Sequence, residues 1–157
     1  MNLTVIDGDL LNQDVEVIVN PWNRNIIPWW LLIPQGVSGA IKKRGGYKPF
    51  FELGKKGAIP LGNAVETNAG KLTYKAIIHV AGISMLWISS EKSIENSVIN
   101  AMKIVKSRNY QSVAFPLIGA GTGGSKQEKV LSLMKTTLNQ IDYEGTVLIV
   151  RYAKSKT

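Results

Sequence analysis

The chain has 157 residues, 45% hydrophobic and 19% charged, with 19 Lys and Arg against 11 Asp and Glu for a net charge of +8. That is an ordinary globular balance for a single domain, 1–157, and no apolar run approaches the ~20 residues of a membrane span. The absence of cysteine excludes disulfide and thiol chemistry and fits a cytoplasmic protein, and "MNLTVIDGDLL" does not read as a signal peptide because no basic segment precedes its apolar residues.

In chain order, "LTVIDG" and "VEVIVN" are short β-branched runs that predict strands. "GVSGAIKKRGG" predicts a short helix with Val37, Ala40 and Ile41 on one face, and "KPFFELGKKG" a second helix stopped by Gly57. "GNAVETNAG" reads as a strand running into a turn, and "YKAIIHVAG" as a buried strand. The clearest helix is "SSEKSIENSVINAMKIVKSRNY": Ile94, Val98, Ile99, Met102 and Val105 recur at 3–4 spacing, and Ser89 or Ser90 can cap it. "SVAFPLIG" predicts a central strand, "KQEKVLSLMKTTLNQI" a helix with Val130, Leu133, Met134 and Leu138 inward, and "GTVLIVRYA" a last strand. Strands alternating with helices imply a three-layer α/β/α sandwich around a largely parallel or mixed sheet. In such sheets ligands bind beyond the carboxyl ends of the strands.

Three loops carry the polar chemistry. "LIGAGTGGSK" offers bare backbone ahead of a helix, and glycines there can turn successive N–H groups into a concave anion nest. No Gly-Lys-Ser/Thr closes it, so it is not a Walker loop, nor does it match the dinucleotide fingerprint. A tight strand-to-helix turn is the plainer reading. The second loop places Asn20 and Asn23 just after a strand and ends in Gly36-Val37 at a helix start. Asparagine suits ribose hydroxyls but is also a turn-maker. The third, "DGDL", offers Asp9 as an acceptor for an exocyclic amine or as a cap. His79 is the only histidine, which speaks against a histidine-rich metal site or a histidine triad; a satisfied structural role suits it better than a pocket role. Glu52 and Glu66 are lone carboxylates without evident partners.

Taken in order, "GDL", "VIVNPWN", "GVSGAIKKRGG", "AIIHVAG" and "SVAFPLIGAGTGG" resemble the macro domain pattern of G-D-I, I-V-N-A-A-N, G-G-G-V-x-G-A-I, I-H-x-V-G and A-F-P-x-I-x-x-G-x-x-G. The likeness runs from Val5 to about Tyr152; each motif is weak alone, and five in order are strong. It implies the macro domain fold and recognition of ADP-ribose or ADP-ribosyl groups without a cofactor or metal. It assigns Asp9, with Leu10 beside it, to the adenine and Asn23 to the distal ribose, where Asn23 is also the catalytic candidate. It assigns Gly36 and Val37 to the diphosphate, with Asn20 and Ser38 close by. The second loop, Gly119, Ala120, Gly121, Thr122, Gly123 and Gly124, would wrap the diphosphate and distal ribose, and Tyr152 would lie by the adenine.

The sequence departs from that pattern in three places. "NRNIIPWWLLIPQGV" is longer and more aromatic than usual, so Trp29 and Trp30 with Pro28 and Pro34 form either a lid or stacking wall, or pack onto the domain's own core or a partner. Ser38 stands where hydrolytic MacroD-type members carry an aspartate. Gly119 and Gly123 replace side chains common in the phosphate loop, leaving the distal ribose less enclosed. Three functions are compatible: hydrolysis of an ADP-ribosyl linkage or of an ester such as O-acetyl-ADP-ribose, ADP-ribose binding without turnover, and action on ADP-ribosylated nucleic acid suggested by the basic charge. The partner is ADP-ribose or an ADP-ribosylated protein or nucleic acid, with no membrane involved.

Overall fold

The alternation read from the sequence is realised as β1 (Asn2–Gly8), β2 (Val17–Trp22), α1 (Gly36–Gly45), α2 (Lys48–Lys55), β3 (Ala64–Thr67), β4 (Ala76–Ala81), α3 (Glu91–Ser107), β5 (Ser112–Pro116), α4 (Gly124–Asn139) and β6 (Thr146–Tyr152). Short 3-10 turns at Leu10–Asn12 and Trp29–Leu31 complete it. The computed structural model describes residues 1–25, 27–31, 36–82, 90–119 and 124–153. The strands form one sheet in the order β1-β6-β5-β2-β4-β3, parallel except for the antiparallel β3–β4 pair.

The period-2 alternation of the strands divides the core. Val17, Val19, Ala76, Ile78 and Val80 point to one face, where Ile94, Val98, Met102 and Val105 of α3 and Val130, Met134 and Leu138 of α4 cover them. Ile18, Trp22, Ile77 and Ala81 point to the other, beneath Ile41 of α1 and Phe50 and Leu53 of α2. Helices on both faces make the three-layer sandwich expected from the sequence. They also explain why β4 reads as a continuous buried run rather than an alternating one. Each fully buried Val, Leu or Ile contributes about 1.5–3 kcal/mol.

The helix boundaries follow their caps. Ser90, not Ser89, closes the start of α3: its Oγ accepts from Ser93 N–H and the Ser93 hydroxyl accepts from Ser90 N–H, a reciprocal capping box. Ile99, expected on the buried face, is half-buried. The second strand runs two residues further than its β-branched run and takes in Pro21. β5 pairs only with Val17 and Ile18, so past that point β2 has a neighbour on the β4 side alone, and proline's missing donor is tolerated. The carboxyl-terminal halves of β2 and β5 are therefore unpaired with each other, which opens the sheet at that edge.

Candidate ligand-binding site

The opening between β2 and β5 is where the topology reverses. From β2 the chain crosses to α1, whose Ile41 packs on one face; from β5 it crosses to α4, whose Val130 and Met134 pack on the other. Because β2 and β5 are parallel neighbours, both helices begin at the same edge. This is the switch point at which an open α/β sheet offers a crevice flanked by two helix starts. The first N–H groups of a helix lack intrahelical acceptors, and the helix dipole puts partial positive charge there. Gly36 opens α1 at φ +61, with nothing within 4 Å of where a Cβ would stand, and Gly119 turns out of β5 at φ +70. Both are left-handed conformations that favour glycine. Of the second loop, the backbones of Gly119 and Gly124 are described; Ala120, Gly121, Thr122 and Gly123 lie outside the described residues.

Below the start of α1 runs a buried hydrogen-bond chain whose direction can be deduced. The Thr67 hydroxyl donates its single proton to the Asn68 carbonyl at 3.0 Å, so it accepts at 2.8 Å from His79 Nε2–H. His79 Nδ1 is then bare and accepts from Asn20 Nδ2 at 3.0 Å, and Asn20 Oδ1 accepts from the Ser38 hydroxyl at 2.9 Å. Both imidazole nitrogens are engaged. Complete burial, seconded by the charge of Lys56, holds the His79 pKa down to about 3. The ring is a neutral structural link, in edge contact with Phe50 at 5.8 Å between ring centroids, and cannot serve as a base for a ligand. Ser38 is left with its oxygen lone pairs for the crevice and no proton to give.

Asn23 sits just beyond β2 and is only 7% exposed. Its Oδ1 accepts from Asn25 N–H at 2.7 Å, a turn of the kind asparagine favours, while its Nδ2 has no partner among the described residues. Asn25, at φ 59, is the anchor of the tryptophan loop: its Nδ2 donates to the carbonyls of Leu53 and Gly57, and its Oδ1 accepts from Trp22 Nε1. Arg24 and Ile59 exchange further bonds across the same seam. Trp29 packs onto its own domain, stacked on Tyr47 at 5.5 Å, and its carbonyl accepts from Lys42 Nζ. Trp30 remains exposed. Lys42 is buried over the Trp22 and Phe50 rings with no carboxylate partner among the described residues, and desolvation lowers its pKa.

At the far corner of the same edge, Gly8 and Tyr152 are register partners, which brings Asp9 and Tyr152 to one place. Asp9 caps the turn at Leu10–Asn12 by accepting from Leu11 N–H, and its second oxygen pairs with Arg44 at 2.8 Å. Leu10 turns its side chain into the core, whereas Tyr152 is exposed. Arg44, unremarkable in the sequence, thus ties the end of α1 to the β1 corner and also bonds Asn12.

Glu52 and Glu66, lone carboxylates in the sequence, both have partners in the fold. Glu52 accepts from Asn68 N–H, and Glu66 pairs with Arg108 and accepts from the Tyr110 hydroxyl, whose pKa burial and this carboxylate push up to about 12. Glu66, Arg108 and Tyr110 line an open groove of about 570 Å³ along β3, away from the residues of the crevice. Among the described residues no His, Cys, Asp and Glu cluster could hold a metal, and no helix is long and apolar enough to cross a membrane.

The fold is an α/β/α sandwich in which the helices that follow β2 and β5 start at one sheet edge, at the switch point of the topology. The chain belongs to the macro domain family, whose model, described as Macro domain, matches residues 19–134. It is 33% identical over 158 residues to a macro domain-containing protein of Caldanaerobacter subterraneus subsp. tengcongensis, covering 96% of this chain and 86% of that one. It is 31% identical over 144 residues to the O-acetyl-ADP-ribose deacetylase of Escherichia coli K12, covering 87% of this chain and 77% of the other. Among solved structures it is similar to a mutant Oceanobacillus iheyensis macrodomain with ADPR, at TM-score 0.81 and 25% identity over 96% of this chain and 84% of that one.

Proposed function

We propose that the crevice recognises ADP-ribose or an ADP-ribosyl group, with the diphosphate between the first turn of α1 and the Gly119–Gly124 loop. The observation that carries this is the β2–β5 pairing, which sets two side-chain-poor helix starts at one edge from opposite faces of the sheet. The N–H groups at Gly36, Val37 and Ser38 supply one side of the grip, and Gly119 to Gly124 supply the other. Asp9, beside Tyr152, receives the adenine; a carboxylate already bonded to Arg44 and Leu11 N–H still has acceptor capacity for an exocyclic amine. Asn23 Nδ2 orients the distal ribose. The likeness to an O-acetyl-ADP-ribose deacetylase and to a macrodomain solved with ADPR supports this reading.

Hydrolysis of an ADP-ribosyl linkage or an ADP-ribose ester is the chemistry we assign to the bound state. Its rate is constrained by the site: the first turn of α1 holds no acidic residue, and His79 is closed off. A water must be activated by the substrate's own phosphate and by fixed backbone dipoles, which suits a labile bond or slow turnover. Titration calorimetry with ADP-ribose, paired with deacetylation of O-acetyl-ADP-ribose, tests both halves. Asn23→Ala should lower turnover by more than it lowers affinity; unchanged turnover removes Asn23 from the mechanism. Binding with no product over long incubation establishes the second reading, a non-catalytic module, which the hydroxyl at position 38 favours.

A further inference from the structure

We infer that the outward face of α2, with Trp30 beside it, is a stacking platform for single-stranded nucleic acid. At 100° per residue, Tyr47, Lys48, Phe51 and Lys55 fall within an arc of about 100°, opposite the buried Pro49, Phe50 and Leu53. Each of these rings keeps most of its surface open: Tyr47 and Phe51 on the arc are each 59% exposed, and Trp30 beside it is 66% exposed. Trp29 stacks on Tyr47 and borders Gly54, which seats the Trp29–Leu31 turn, and with it Trp30, beside α2. Cations are interleaved with them, and Lys55 Nζ lies 4.6 Å from the centre of the Phe51 ring. Residues 42–56 hold six of the chain's 19 Lys and Arg and one of its 11 Asp and Glu. Among the described residues, Lys43, Lys48, Lys55 and Lys56 are exposed and outside any ion pair.

Flat rings alternating with unpaired ammonium groups fit a polymer that alternates flat bases and phosphates. A bilayer surface fits less well. An interfacial helix needs a broad apolar face, and α2 spends Phe50 and Leu53 on the core and places two lysines among its exposed rings. The platform does not use the crevice, so the two are separately testable.

The test is fluorescence polarisation with a labelled oligothymidylate of about 20 nucleotides, longer than the ~4–16 that one groove occupies. Wild type should bind at low salt, and Phe51→Ala and Trp30→Ala should each weaken binding about tenfold, within the range of one lost base stack. Lys48→Glu with Lys55→Glu should flatten the slope of log affinity against log salt by about 1.4, two phosphate contacts' worth. All variants should keep the wild-type unfolding midpoint and ADP-ribose affinity, so a failure here leaves the crevice reading standing. The inference is overturned by no oligonucleotide binding, by binding indifferent to both ring deletions, by inorganic polyphosphate competing as well as oligothymidylate at equal phosphate, or by phosphatidylglycerol vesicles binding where the oligonucleotide does not.

Discussion

Lowering the pH from 7 to 5 should cost this fold about 2 kcal/mol through His79 alone. The unfolded ring takes a proton near its ordinary value of 6.5, while the buried ring resists protonation down to about 3. Between those values unfolding takes up one proton, so stability falls as pH falls, by about 1.36 kcal/mol per unit. At pH 7 the effect is almost nil; at pH 5 it has run for 1.5 units below 6.5. Glu16, whose carboxyl is lowered by the Gln111 N–H and Lys75, loses its contribution only as pH drops below its ordinary range near 4.5, outside this window. Urea unfolding at the two pH values, for wild type and His79→Gln, isolates the histidine: the variant should be less stable at pH 7 and lose about 2 kcal/mol less on acidification. Because the chain has a single histidine, its ring nitrogens give one pair of resonances. They should report an Nε2–H tautomer that does not titrate between pH 8 and 5. A folded-state midpoint near 6.5, or equal acid sensitivity in the variant, would refute the reasoning.

Three further outcomes follow from the site. Asn25→Ala removes bonds to the Leu53 and Gly57 carbonyls and from Trp22 and puts alanine at φ 59. It should lower unfolding free energy by about 2–4 kcal/mol in urea melts. Gly36→Ala meets no atom within 4 Å but must hold φ +61, so about 1–2 kcal/mol of strain should appear as a lower unfolding free energy in urea melts, and the calorimetric Kd for ADP-ribose should rise, by up to about tenfold, to the extent that the ligand-free turn relaxes to relieve it. Ser38→Asp should convert His79 from the Nε2–H to the Nδ1–H tautomer, read from the same ring resonances; an unchanged tautomer would break the deduced chain.

The sheet and its two long helices were legible because their signals are local. The 3–4 spacing of Ile94, Val98, Met102 and Val105 and the unbroken apolar run of β4 each report a burial that the sequence alone encodes. The strand end at Trp22 was not, since Pro21 is allowed only because β5 stops pairing at Ala114. The site was legible as loops but not as contacts. Asp9 and Arg44 are 35 residues apart, and Asn20 and His79 are 59 apart. Nothing in a basic run such as "KKRGG" distinguishes the buried Lys42 from the exposed Lys43 beside it. The lysines that look scattered in sequence are partly gathered by the helical turn of α2, which the spacing of "YKPFFELGK" encoded all along.

Ser38 and the His79 tautomer are a single choice made at two ends of one chain. With Thr67 committed to the Asn68 carbonyl, proton order runs from His79 to Thr67 and leaves Asn20 offering its oxygen toward α1. A hydroxyl completes that order by donating. A carboxylate cannot, because it would set oxygen against oxygen; Asn20 would have to turn its amide, His79 move its proton to Nδ1, and Thr67 withdraw from Asn68. The hydroxyl also leaves the start of α1 without negative charge, so its partial positive end, equivalent to about half an elementary charge, is undiminished for an incoming diphosphate. The same substitution therefore favours grip over water activation, and the two halves of the proposed function trade against each other at this one residue.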